Sequence, residues 1–379
     1  MTIRRARDED VENILDLLTY YEVPRSYFEP FYLRDPSYRP EHSWVAEEEG
    51  RFVAHIRVFD RTIRVGEAGL HVAGIGSVIT APESRGRGLA GQLLRDVLAE
   101  TPKEGFAYSL LRAYQPVLYE RHGWASIQSD LVRATLPPDG APPVERFTEG
   151  DLPEVMRLYE SSNVARSGTT VRSPEYWRSQ LEWLNEDREG FLVSRAENGT
   201  LAGYVRSRVG EAEAEILELG IRRCDAKTGR ALLSAAAARS GGRLKAHLPS
   251  SLRTLFRPEE SEVTSAFGLM GRVLDLAMLV EAVRPLWMRR VRESGGRGGS
   301  FNLATSAGHA EVRVRAEEVE VLRSARAPIH ALGEGEFAHL LFRGFDSVAT
   351  ERLGARPDSD LLRTLFPKQD FVVWRADAF

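Results

Sequence analysis

The 379-residue sequence contains a single cysteine, Cys224. One thiol cannot build an intrachain disulfide framework or a cysteine-rich metal site, and such usage fits a reducing cytoplasm. The eight histidines never fall at H-x-x-x-H spacing, so no metal is expected. No apolar run reaches transmembrane length, and Met1-Thr2-Ile3-Arg4-Arg5 has no apolar leader core. Neither a membrane span nor an export signal is therefore expected. Charge of neither sign is in excess: the formal net charge of −4 gives no electrostatic reason to expect nucleic acid or an anionic membrane as partner. What is present is 42% hydrophobic and 28% charged residues, the make-up of a soluble globular chain. Its length suits two or three domains.

The most informative stretch is Ile75 to Leu98. A short apolar strand, Ile75 to Thr80, runs into the turn Ala81-Pro82-Glu83-Ser84. The glycine-rich loop Arg85-Gly86-Arg87-Gly88-Leu89-Ala90-Gly91 follows and opens an amphipathic helix to Leu98. Glycines allow close backbone approach, and the free N–H groups and dipole of a helix start favour an anion. The pattern suits a pyrophosphate cradle. No lysine lies between Ile75 and Leu98, which argues against a P-loop. Gly86, Gly88 and Gly91 have dinucleotide-fold spacing, but several strand-like runs precede them, whereas that motif opens a βαβ unit. The plain alternative is an ordinary glycine-rich strand-to-helix turn.

Before this stretch, Ile3 to Arg7 reads as a strand, and Asp8 as the cap of a helix burying Val11, Ile14, Leu15 and Leu18. Tyr20 to Pro40, rich in aromatics and prolines, is a loop or short-helix region over a pocket, or merely a packing loop. Trp44 to Phe59 reads as a hairpin. Phe106 to Leu111 is a strand, Tyr114 to Arg121 a short helix, and Trp124 to Leu136 closes the domain. Pro137 to Pro143 reads as a linker. The pattern then restarts: Val144 to Met156 aligns without gaps on Ile3 to Leu15, Phe191 to Val205 echoes the hairpin, and Ile216 to Ile221 takes the place of the Ile75 strand. In this second copy Arg223 to Ala231 lacks the glycine register, so it is expected to be structural and not to bind a nucleotide. From about Gly271 the character changes again. Asp275 to Val291 is an apolar helix, strands follow at Phe301, Ala310 and Val319, and Phe337 to Phe342 is helical. The tail from Leu361 is unusually apolar.

Arg85, Gly88 and Ala90 occupy the defining positions of R/Q-x-x-G-x-G/A. The stretch thereby resembles motif A of the GCN5-related N-acetyltransferases (GNATs), which binds the pyrophosphate of acetyl-CoA. With a degenerate second copy, a Tyr119 segment and a Leu365-Phe366-Pro367 tail, the whole chain resembles the Eis-type N-acetyltransferases. The resemblance implies an α/β (α+β) fold of tandem GNAT acyltransferase folds followed by a sterol-carrier-protein-like α+β domain. The domains would be 1–137 (active), 144–272 (degenerate) and 273–379, with the C-terminal tail reaching the active site. It also implies acetyl-CoA as co-substrate, a small-molecule or peptide amine acceptor, and a homo-oligomer, a hexamer.

Carried over residue by residue, the family's CoA contacts fall on Val78, Ile79 and Thr80, on Arg85, Gly86, Arg87, Gly88, Leu89, Ala90 and Gly91, and on Tyr114 and Gln115. Its general acid falls on Tyr119. Its base, a C-terminal carboxylate, falls on Phe379. A tyrosine hydroxyl of pKa near ~10 can protonate a departing thiolate. An α-carboxylate near ~3.5 needs burial to become a useful base. From the residues alone, Tyr119 could equally be a core tyrosine and Phe379 a frayed end, with His122 and Glu120 as ordinary base candidates. The family's aminoglycoside-acetylating members carry an acid before the terminal Phe and an aromatic before the Val78 segment. This chain has Ala378 and Ser77 there, both in the implied acceptor pocket. A second class of function is a lipid or sterol carrier on an inert acyltransferase scaffold.

Overall fold

The computed structural model describes residues 1–138, 142–183, 188–266, 268–316 and 318–377. Asp139 to Ala141 of the expected linker, and Ala378 and Phe379 of the tail, lie outside the described residues.

The chain begins with β1 (Thr2–Arg5), α1 (Val11–Leu18), α2 (Arg25–Leu33), β2 (Ser43–Glu48), β3 (Arg51–Val65), β4 (Ala68–Thr80), α3 (Leu89–Glu100), β5 (Tyr108–Arg112), α4 (Pro116–Glu120) and β6 (Ala125–Ser126). The pattern then repeats as β7 (Ser129–Thr135), β8 (Val144–Arg146), α5 (Leu152–Asn163), α6 (Pro174–Trp183), β9 (Phe191–Arg195), β10 (Leu201–Arg208), β11 (Ala214–Ile221), α7 (Ala226–Ala237), β12 (Arg243–His247) and β13 (Ser261–Ala266). It ends with β14 (Leu269–Val273), α8 (Leu276–Glu293), β15 (Gly299–Thr305), β16 (Gly308–Val314), β17 (Val319–Ser324), β18 (Leu332–Gly333), α9 (Glu334–Arg343), α10 (Ser347–Leu353) and α11 (Ser359–Leu365).

Two units result, one of residues 1–127 and 268–369, the other of 128–266 and 370–377 among the described residues. The first holds a seven-stranded sheet in the order β1-β2-β3-β4-β5-β14-β6. The second holds a seven-stranded sheet in the order β13-β7-β12-β11-β10-β9-β8, the same order read from the other edge. In each, a single parallel pair, β4/β5 or β11/β12, interrupts antiparallel neighbours.

The duplication is visible atom by atom at the first helix of each copy. The Asp10 carboxylate accepts the Arg7 N–H at 2.8 Å, and α1 starts one residue later. The Asp151 carboxylate accepts the Thr148 N–H at 2.8 Å, and α5 starts one residue later. The residue before α1 is thus Asp10, not Asp8: Asp8 opens a single tight turn, and the Asp10 carboxylate closes back on that turn's Arg7 N–H without bonding an amide of α1.

Strand pairing crosses the boundaries expected at 137 and 272. Ser129–Thr135 pairs antiparallel with β12 and β13 in the second sheet, and Leu269–Val273 pairs with β5 and β6 in the first. Which sheet a strand joins is set by long-range ladders that local periodicity does not encode.

In the first unit α3 buries Leu89, Leu93, Leu94 and Val97 against Val58, Ile75 and Phe106 of the sheet layer. Each such side chain contributes roughly 1.5–3 kcal/mol by leaving water. The four-stranded sheet β17-β16-β15-β18 of the same unit packs with α8 and the later helices around an aromatic cluster. In it Trp287 meets Phe301 at 5.8 Å and Phe366 at 5.3 Å, and Phe337 meets Phe366 at 6.1 Å.

The tail from Asp370 to Asp377 is packed in the second unit, not frayed. Phe371 bridges to Ser167, Val372 N–H donates to the Ser167 carbonyl at 3.0 Å, and Trp374 Nε1 donates to Asn163 Oδ1 at 3.0 Å. Gly168, at φ +87°, makes room: a Cβ there would lie 2.7 Å from the Val372 carbonyl oxygen. Among the described residues no helix is long and apolar enough to cross a membrane.

Candidate active site

The site in the first unit is built on a divergence of strands. β4 and β5 pair in parallel from Val72↔Tyr108 to Ile75↔Leu111, and there the pairing stops. β4 itself continues to Thr80, held on its other edge by β3 through His55↔Ile79 and Ala54↔Thr80. Val78, Ile79 and Thr80 therefore leave the edge that faced β5 without a strand. An extended chain with amides of its own can pair along such an edge.

A bulge accompanies the divergence. His55 pairs with Ile79 but Arg57 pairs with Gly76, so β4 carries one residue more than β3 across this step. Ser77 sits in it with φ +51°. A non-glycine residue in the left-handed region costs about 1–2 kcal/mol and needs an external hold. Two side chains grip the consecutive carbonyls. The fully buried His55 places Nδ1 2.9 Å from the Ser77 oxygen, and the Tyr21 hydroxyl donates to the Val78 oxygen at 2.6 Å. Burial keeps the His55 imidazole neutral, its pKa pushed down to about 3. A carbonyl only accepts, so Nδ1 carries the proton. Neither His55 nor Tyr21 was picked out as functional by sequence reasoning. Tyr21 lies in the aromatic stretch Tyr20 to Pro40, but nothing local connects either residue to β4.

Past Thr80 the chain turns through Pro82–Ser84 into the loop. Gly86 has φ +78° and Gly88, the residue before α3, has φ +76°. Both torsions favour glycine, and nothing lies within 4 Å of where either Cβ would stand. Among the described residues, no acceptor takes the backbone N–H groups of Gly86 through Gly91; the first bond of the helix start runs from Gln92 N–H to the Gly88 carbonyl. Those free amides at the start of a twelve-residue helix form an anion cradle. Leu89 is buried, Ala90 and Gly91 are half-buried, and Arg85, Gly86, Arg87 and Gly88 are exposed. The Arg85 Nε donates to the Thr80 carbonyl at 3.3 Å. Arg87 is paired with Glu48, its Nη1 2.8 Å from Oε2, and that hydrogen bond raises the guanidinium pKa. The pair is exposed and therefore easily exchanged for another anion.

Tyr119 lies in the short helix α4 and is 9% exposed. Its ring stands edge-on to Trp124 at 6.1 Å. Trp124 Nε1 donates to Ser109 Oγ at 3.2 Å, and Ser109 Oγ donates to the Ala73 carbonyl at 2.9 Å. The tyrosine is thus tied to the last paired part of β4 and β5. Its hydroxyl has no partner within the described chain, and burial pushes its pKa up to about 12. Tyr114 is 97% exposed, and Gln115 is exposed beside it. His122 sits under the helix start, its Nε2 3.3 Å from where a Gly91 Cβ would be, and burial lowers its pKa. Glu120 is exposed. Phe379 lies outside the described residues.

The second unit repeats the divergence and fills it from within. β11 and β12 pair only from Ala214↔Leu244 to Ile216↔Ala246, and β11 bulges opposite Arg206/Ser207. Here the Leu217 carbonyl accepts the Ala376 N–H of the tail at 3.3 Å. The helix start is filled as well. Asp225 caps α7, accepting from the Lys227 N–H at 3.2 Å and from the Thr228 hydroxyl at 2.7 Å. An aspartate carboxylate thus stands where the first unit leaves free amides.

Residues 2–127 match the family profile of the acetyltransferase (GNAT) domain. The fold is similar to that of a GCN5-related N-acetyltransferase from Kribbella flavida, 20% identical, with a TM-score of 0.70 over 100% of this chain and 98% of that one. A GCN5-related N-acetyltransferase from Anabaena variabilis ATCC 29413 is 16% identical, with a TM-score of 0.71 over 100% of both chains. Eis1 from Mycobacterium abscessus is 15% identical, with a TM-score of 0.67 over 100% of both chains. At these identities the likeness is one of fold, and it extends through both sheets and the third region. No curated protein sequence matches the chain.

Proposed function

We propose that this chain, whose residues 2–127 match a GNAT domain, is an acyl-CoA-dependent N-acyltransferase. Acetyl-CoA is its donor and a primary amine, on a small molecule or a lysine side chain, its acceptor. One observation carries the reading. The open β4 edge at Val78 to Thr80 leads directly into the unbonded amides of Gly86 to Gly91. The first suits the amide-bearing pantetheine arm, the second the pyrophosphate. The second unit has the same divergence but closes it with its own tail and Asp225, so only one copy is left to bind.

In this reading the amine nitrogen forms a bond to the thioester carbon and the carbon–sulfur bond breaks. Tyr119, held protonated by burial, gives its proton to the CoA sulfur. The Phe379 carboxylate takes the proton of the amine, and Tyr119 recovers its proton from solvent. The same reading carries a sterol-carrier-like module from residue 273 and a hexameric assembly, the latter tested by light scattering. A carrier on an inert scaffold is the less favoured alternative, because the Arg85 loop is intact in one copy and lost in the other, whereas in a carrier both would be free to decay.

The deciding experiment pairs calorimetric titration of acetyl-CoA with a thiol-release assay over aminoglycosides, polyamines and lysine peptides. Binding with thiol release on at least one amine is expected. Stabilisation by a long-chain fatty acid and none by acetyl-CoA would reverse the choice.

A further inference from the structure

We propose that His55 is a positioning residue for the acyl-CoA slot: by holding the Ser77 carbonyl it keeps the β4 bulge in place and so keeps β4 apart from β5. The inference rests on the acyl-CoA reading above.

Three observations meet at this point. Ser77 has a left-handed backbone, φ +51°, inside a strand. Serine has no intrinsic preference for that torsion, and in a regular strand it would be extended. The register step lies opposite His55 itself, between its pairing with Ile79 and the pairing of Arg57 with Gly76. And His55 is 0% exposed, with Nδ1 2.9 Å from the Ser77 oxygen.

The alternative arrangement is easy to draw. Without the bulge β4 would run straight past Gly76, its β5 edge would stay in register beyond Ile75, and the divergence would close. A leucine at position 55 would have similar bulk but offer the carbonyl no proton. His55 Nε2 has no partner in the described chain, so the residue's polar function there is spent on Ser77. A histidine wanted only for bulk would be replaced at no cost to the slot.

The test uses the full chain and acetyl-CoA. His55→Leu should weaken acetyl-CoA binding about tenfold, because the bulge loses its hold and the left-handed cost is unopposed. His55→Asn, which keeps an N–H near the Nδ1 position, should stay within about threefold of the parent. Ser77→Gly added to His55→Leu should restore most of the affinity, since glycine adopts the left-handed conformation freely. A merely structural histidine would not be rescued by that second change. Unchanged affinity in folded His55→Leu overturns the proposal, and so does a double variant no better than the single one. Should His55→Leu not fold, Ser77→Val decides. A β-branched residue resists φ above zero, so its affinity should fall about tenfold, and parental affinity would count against the bulge. Amide exchange over Gly76 to Thr80 in the free protein reads the bulge without CoA. Slower exchange in His55→Leu, as the freed edge closes on β5, supports the proposal, and unchanged or faster exchange refutes it. A parent protein that binds no acetyl-CoA would remove the function proposed above, while this exchange still judges His55.

Discussion

Arg172 and Asp377 face each other in a fully buried, two-pronged pair: Nε to Oδ1 at 2.9 Å and Nη2 to Oδ2 at 2.9 Å. Arg172 also reaches Glu218, which accepts the Tyr204 hydroxyl at 2.6 Å, and its guanidinium lies 4.1 Å from the Tyr159 ring centre. Gln180 Nε2 donates to the Ala376 carbonyl at 2.9 Å beside them. The stretch Ala376–Asp377 is therefore fixed by a charge network in the second unit, not by apolar packing alone.

Removing one partner of such a pair is costly, because the other charge stays buried. Arg172→Met should lower stability by about 3–5 kcal/mol. It should also let trypsin cut at Arg375, the exposed residue two places before Asp377. Thermal denaturation and limited proteolysis read both. An unchanged midpoint would mean that the pair contributes nothing net.

The same pair predicts an acid dependence. Burial pushes the Asp377 carboxyl up, but the Arg172 guanidinium overrides this and holds it below its ordinary value. A depressed carboxylate stabilises the fold above the unfolded pKa of ~3.9 and loses that contribution as pH falls through the folded pKa. Asp377→Asn should therefore narrow the stability gap between pH 7 and acid conditions below about 4. Parallel denaturation curves for parent and variant across that range would contradict it.

Gly88→Asp should separate binding from folding. No atom lies within 4 Å of the new Cβ, and aspartate tolerates the left-handed torsion better than most residues. The fold should survive with a modest drop in melting temperature. The added carboxylate would stand at the free amides before α3, as Asp225 does before α7. Acetyl-CoA affinity should fall more than about tenfold by calorimetry. Parental affinity in the folded variant would move the pyrophosphate elsewhere.

These relationships differ in how far the sequence discloses them. The Arg85 to Gly91 loop was legible because its demands are local: left-handed torsions at Gly86 and Gly88 follow from residue type. The duplication was legible because Asp10 and Asp151 recur at the same place in an ungapped match. The exchange of Ser129–Thr135 and Leu269–Val273 between sheets was not, since both read simply as strands. Nor was the burial of Phe371 to Asp377 in the second unit, beyond the bare sign that an apolar tail wants cover. His55 and Tyr21 reach β4 from distant parts of the sequence, and their meaning depends on a bulge that no residue pattern at Ser77 announces.

Tyr119→Phe should lower kcat by about 10²–10⁴-fold and leave acetyl-CoA affinity near the parent value, because only the proton donor is removed. With its pKa pushed up to about 12, Tyr119 stays protonated throughout the neutral and mildly basic range. The parent rate should then show no loss attributable to this group up to about pH 10, where an ordinary tyrosine would be half ionised. A basic limb near pH 9 that vanishes in Tyr119→Phe would contradict the environment described for it.

The last prediction concerns the chain terminus. The family resemblance gives the role of base to the Phe379 carboxylate, and Asp377, two residues before it, is paired with Arg172. Extending the chain by one residue turns that carboxylate into a neutral amide and leaves the Asp377 anchor intact. A chain extended past Phe379 should therefore keep the parental melting temperature and acetyl-CoA affinity, yet lose about 10²–10⁴-fold in kcat. Deleting Phe379 alone should act in the same direction, because the new carboxylate falls one residue short. An extended chain that turns over its amine at the parental rate would exclude the terminal carboxylate, and the base would then be sought at His122, beneath the helix start, or at the exposed Glu120.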